Sequence, residues 1–142
     1  MTELALDTAK TIIKETLANG RAAGFKPLSV VVLDTGGHVK AFEREDGASP
    51  GRFAIAHGKA YGAIMLGIPG SAQMARAEQQ AYFMNAVNGL FDGQMVPVPG
   101  GILVLNEAGE TIGAVGVTGD TSDNDVTAGV SGIRAAGLIE NA

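Results

Sequence analysis

Few side chains in this sequence can move a proton or hold an anion, and most of them fall in two short stretches. The first, "RFAIAHGKAY" (52–61), carries Arg52, His57, Lys59 and Tyr61. The second, "GDTSDND" (119–125), carries Asp120, Asp123 and Asp125 behind Gly119. An imidazole or a carboxylate can take a proton from a bound substrate, so His57, Asp123 and Asp125 are the candidate catalytic residues. Arg52 and Lys59 are suited to orient a substrate carboxylate, and Tyr61, Gly119 and Asp120 complete the candidate ligand-binding set. The one other histidine, His38, opens a strand just after the turn "DTGG", where an exposed and inert side chain is expected. His57 and His38 are also the two imidazoles able to act as axial ligands to a bound cofactor.

On a helix, His57 shares a face with Tyr61 and Ile64, whereas Lys59, two residues on, points elsewhere. The surrounding residues are mainly alanine and glycine, so a histidine and a lysine in the middle of this segment call for a reason. A pocket-lining histidine is one reading. For Lys59 and Arg52 a surface ion pair is the plain alternative to neutralising a ligand.

The glycines of "GAVGVTGDTSDND" (113–125) invite a nucleotide reading that the residues do not support. They follow G-x-x-G-x-x-G rather than the dinucleotide fingerprint, and Gly119 precedes Asp120 rather than the lysine of a P-loop. Asp123 and Asp125 already occupy the positive end of the following helix and would repel a phosphate. A calcium loop fails too, because the spacing of Asp120, Asp123 and Asp125 is wrong and Ser131 stands where its final glutamate belongs. Ser122 to Asp125 reads instead as a capping box.

Positioning these residues requires a regular scaffold. Leu6, Ala9, Ile13 and Leu17 have helical spacing, with Thr2 as N-cap and Gly20 or Gly24 as the stop. "LSVVVLD" (28–34) is apolar enough for a strand covered on both faces, and "HVKAFER" (38–44) returns from it as a hairpin. Helices follow over 52–67, with an Ala56, Ala60 and Ala63 stripe, and from Ser71, with Met74, Ala77, Ala81 and Met84 as its buried stripe. "QMVPVPGG" (94–101) is too proline-rich for a central strand. "ILVLNEAGETIGAVGV" makes a second hairpin, bent at Asn106–Gly109, and a last helix runs from "TSDND" to about Ala136. Paired hairpins between helices predict an α/β (α+β) fold: a central antiparallel sheet flanked by helices, in one domain over 1–142.

Composition narrows the function classes. With 15 acidic against 10 basic residues, 5 Phe, 2 Tyr and no Trp, there is neither a basic footprint nor a stacking surface for nucleic acid. No cysteine is present, which excludes thiolate metal sites, iron–sulfur clusters and a cysteine nucleophile. No metal-ligand spacing stands out. The N-terminal stretch lacks the basic start and apolar core of a signal peptide, and no run approaches a membrane span, so a cytoplasmic protein without membrane partners is expected.

Three segments, "IAHGKAYGA" (55–63), "PVPGGILVLNEAG" (97–109) and "IGAVGVTGDTSDND" (112–125), followed by a helix ending in "AAGL", resemble the GlcG/HbpS family, which is related to the PduO C-terminal domain. The resemblance covers nearly the whole chain. It implies a compact sandwich of GlcG/HbpS type around an antiparallel sheet, assembled as a homo-oligomer between dimer and octamer. It also implies haem or another tetrapyrrole as cofactor, and a place in a catabolic operon. Haem-binding relatives use a histidine near the N-terminal helix; this chain has none before His38.

Two functions from different classes therefore stand open. One is a small-molecule-binding oligomer for haem or a comparable flat ligand. The other is a cofactor-free enzyme, a hydrolase, tautomerase or deaminase, acting on a small carboxylated catabolic intermediate.

Overall fold

The run "SVVVL" forms strand β1 (Ser29–Leu33), and all five residues are buried. Unbroken apolar character suits this position because β1 is paired on both edges and covered on both faces. Its neighbours are β2 (Val39–Arg44) on one side and β4 (Thr111–Thr118) on the other. Beyond β4 lie β3 (Gly101–Leu105) and the three-residue β5 (Ile139–Asn141). The five strands are antiparallel throughout, in the order β2-β1-β4-β3-β5. Both expected hairpins are present, joined edge to edge by the β1–β4 pairing. The computed structural model describes all residues, 1–142.

Helices cover both faces. On one, α1 (Leu6–Ala22) and α5 (Ser122–Ala135) bury Ile12, Ile13, Leu17 and Ile133 against Val30, Val32, Ile102, Val115 and Val117. On the other, α2 (Arg52–Leu66) sets Ala56, Ala60 and Ala63 against Val31, Leu33, Leu103 and Ala114. Such short side chains bring the helix backbone down onto the sheet, and two strand glycines complete the fit. A Cβ at Gly116 would collide with the carbonyl oxygen of Ala56, and one at Gly101 with that of Lys59. This close approach fixes the height of α2 and, with it, where the polar side chains of α2 meet β4.

Several local expectations change. Helix α1 begins after Ala5 with no side-chain cap, not at Thr2. Its Leu6 is 46% exposed, while Ile12 and Thr16 join the buried face. The helix expected from Ser71 is two helices, α3 (Gly70–Gln79) and α4 (Ala81–Leu90), separated at Gln80, whose φ of −141° leaves the helical region. The break resets the helical phase, so of the proposed stripe only Met84 is buried and Met74 and Ala81 face out. At α5 the cap is Thr121, whose Oγ1 accepts from the Asn124 amide at 3.2 Å, rather than Ser122.

Candidate functional site

Because α2 lies so close to the sheet, Lys59 cannot reach water along the helix surface and is 3% exposed. Its Nζ donates to the Val117 carbonyl at 2.9 Å and to Asp125 Oδ2 at 3.0 Å. Asp125 sits in the first turn of α5 and is 1% exposed; its Oδ1 accepts from the Asp120 amide at 3.0 Å. Burial pushes the Asp125 carboxyl up and the Lys59 ammonium down from their ordinary values, against the mutual attraction of the pair. For Lys59 an ion pair is formed, but in the interior rather than at the surface, tying α2 to the start of α5.

Asp120 is committed to the backbone in the same way. It accepts from the Lys26 amide at 2.7 Å, the Asn124 side-chain amide at 2.7 Å and the Thr121 amide at 2.8 Å. The Lys26 amide above all, with Asn124 and Thr121, holds its carboxyl down to about 2. These bonds clip the loop before β1 to the loop after β4. Asp123 is exposed on the outer side of the same turn. Arg52, in the first turn of α2, donates from Nη1 to Thr118 Oγ1 at 2.9 Å and from Nε to Ser49 Oγ at 3.2 Å.

His57 belongs to a different surface. Phe53, His57 and Tyr61 recur every four residues along α2 and stack, with ring centroids 5.8 and 5.4 Å apart. Phe42 of β2 closes one end of this ladder at 4.8 Å from Phe53, and Phe91 closes the other at 6.1 Å from Tyr61. His57 and Phe53 line an open, mainly apolar groove of about 450 Å³, with Ala54, Ile55, Gly93, Gln94 and Val96 as its other walls. The imidazole makes no hydrogen bond to the protein, and burial lowers its proton affinity below the ordinary value. The neutral form that this favours carries a nitrogen lone pair able to take a proton or bind a metal. His38 sits at the β1–β2 turn, its side chain 80% exposed and held by Asp34 at 3.1 Å. The preceding Gly37 packs against Tyr61 and Met65, so the turn flanks the far end of the aromatic ladder.

A sequence model of the family described as haem-degrading, HbpS-like proteins matches residues 4–134. The chain belongs to this HbpS-like family. Solved structures carry the same fold. That of a PduOC:haem complex is 18% identical, with a TM-score of 0.86 over 96% of this chain and 97% of the other. A double mutant of HbpS from Streptomyces reticuli is 25% identical, with a TM-score of 0.79 over 94% and 87% of the two chains. Protein ORFY from Klebsiella pneumoniae, described as a DUF336 protein, is 22% identical, with a TM-score of 0.83 over 96% and 92%. No curated protein sequence gives a significant match.

The candidate residues of this HbpS-like chain thus divide between two places. Arg52, Lys59, Gly119, Asp120 and Asp125 gather where the N-termini of α2 and α5 meet the ends of β1 and β4. His57 and Tyr61 line the outer flank of α2. The two places do not share a space, because His57 and Lys59 project from different sides of their helix. Phe53 and Phe91 escaped the sequence reading. The four-residue spacing of Phe53 from His57 is visible in the HbpS-like chain, but Phe91, which meets Tyr61, and Gln94 and Val96, which line the groove, come from a distant segment without periodicity. Thr118 and Ser49, which aim Arg52, gave no signal beyond their type.

Proposed function

We propose that this protein binds haem or another tetrapyrrole in the groove beside α2, with His57 as the ligand to the metal. The observation that carries this reading is a neutral, hydrogen-bond-free imidazole set in an apolar groove and backed by stacked rings. Membership of the HbpS-like family and the fold shared with a PduOC:haem complex support it. The residues fit the group: an imidazole to coordinate the iron, Phe53, Ile55 and Val96 to cover an apolar ring face, and an open side where Phe53 stays 40% exposed, leaving the propionates in water. Bound iron would supply ligand and redox chemistry that this chain lacks. His57, Phe53 and Val96 would hold the ring and exclude water from one face.

The same reading includes assembly as a homo-oligomer in the cytoplasm. The cofactor-free enzyme is less well supported, because Asp125 is consumed by Lys59 and neither it nor Asp123 is bonded to His57. Titration with haemin tests the proposal. The expected result is a saturable shift of the haem absorption band, lost in His57→Ala and retained in His38→Ala. Binding by His57→Ala equal to that of the parent overturns the assignment.

A further inference from the structure

The guanidinium of Arg52 is the one cation of the interior cluster that has no carboxylate. The ion pairs of the chain are Arg21–Glu45, His38–Asp34, Lys59–Asp125 and Arg134–Glu140, and Arg52 is in none of them. It is half-buried, and Ser49 and Thr118 each accept one of its bonds. A guanidinium has five N–H donors. Two are used, so three remain on a rigid planar group: both Nη2 hydrogens and one on Nη1.

That side chain lines a cleft of about 220 Å³ bounded also by Lys26, Pro27, Gly47, Ala48, Ser49 and Gly119. The lining holds two cations and no acid. The helix that Arg52 begins has no side-chain cap and no acidic residue in its first turn, unlike α5 with Thr121, Asp123 and Asp125. No acid of the helix's own first turn therefore competes for this end of α2, and the Asp120 carboxylate next to Gly119 is already held by the Lys26, Thr121 and Asn124 amides. Nearby, the buried Ser29 Oγ has no hydrogen-bond partner, and Ser29 is the register partner of Thr118, the residue that aims Arg52. Nothing in the haem reading uses any of these groups.

We infer that this cleft is a separate binding site for a small carboxylate anion, held in bidentate fashion by Arg52. A planar carboxylate, with two acceptor oxygens, matches the N–H donors of the guanidinium that remain unused. The cleft is smaller than the roughly 300–1,000 Å³ of drug-sized ligand pockets, which limits the occupant to a few carbons. Lys26, in the lining, carries a second positive charge, which it shares with the Asp120 carboxylate.

The experiment is titration of the isotope-labelled protein with sodium acetate, and separately with inorganic phosphate, against sodium chloride at equal ionic strength, followed through amide NMR shifts. Acetate is expected to move the amides of Lys26, Ala48, Ser49 and Gly119 along saturable curves. Arg52→Gln should weaken binding at least tenfold, and Arg52→Lys, which keeps the charge but loses the fork, should fall between. Should Arg52→Gln not fold, the wild-type shift map and Lys26→Ala, expected to weaken binding severalfold, carry the test. Shifts that do not saturate, that map elsewhere or that survive in Arg52→Gln overturn the site. Tighter binding of phosphate than of acetate at the same amides overturns the carboxylate assignment. Haemin titration of Arg52→Gln should match the parent, which separates this site from the groove at His57.

Discussion

At the scale of single residues, Lys59 and Asp125 show how burial changes the meaning of a charged side chain. In the sequence they are candidates for ligand binding and for proton transfer. In the fold they satisfy each other, together with the Val117 carbonyl and the Asp120 amide, out of reach of solvent. A buried ion pair adds little compared with apolar packing, but removing one partner strands the other charge. Lys59→Met is therefore expected to destabilise the protein by about 3–5 kcal/mol. Adding Asp125→Asn removes the stranded charge while keeping an acceptor for the Asp120 amide, and should restore more than half of the loss. Urea unfolding of the two single variants and the double variant measures this; a cost below about 1 kcal/mol for Lys59→Met would contradict an interior pair.

At the scale of elements, the decisive contact is α2 against the sheet. Ala56, Ala60 and Ala63 are legible as a small-residue stripe, and the strand glycines as permission for close approach. Their partnership, Gly116 beneath the Ala56 carbonyl and Gly101 beneath that of Lys59, comes from the pairing of β1, β4 and β3. Gly116→Ala should cost about 2 kcal/mol or more, because a backbone carbonyl cannot rotate aside as a side chain can. Gly89→Ala, in α4 with open space around it, should instead add about 0.5–1 kcal/mol through helix propensity. Opposite shifts of the thermal midpoint from the same chemical change would check both. A Gly116→Ala midpoint equal to that of the parent would mean that α2 sits higher than described. The break at Gln80 is the element the periodicity concealed, since the apolar spacing from Met74 to Met84 runs straight through it.

At the scale of the whole molecule, α4 leaves Tyr82 72% and Leu90 80% exposed, close in sequence to Phe83 and Phe91. Large apolar side chains exposed on one short helix are better explained by a covering surface than by solvent. For the homo-oligomer proposed above, that surface is a second copy of the chain. Light scattering should give a mass of at least two chains for the parent, and a smaller one for Tyr82→Glu with Leu90→Glu. A monomeric parent would refute the assembly. The two antiparallel hairpins, the helices before, between and after them and the small-residue face of α2 were determined by the sequence alone, because alternation, helical spacing and turn residues act over a few neighbours; the division of α3 from α4 and the edge strand β5 were not. Which candidates meet was decided only by the tertiary structure. Lys59 and Asp125 are 66 residues apart, and so are Arg52 and Thr118; His57 shares its groove with Gln94 and Val96 of a separate loop. Those encounters depend on the height of α2 above the sheet and on the β1–β4 register, and no local pattern of residues encodes either.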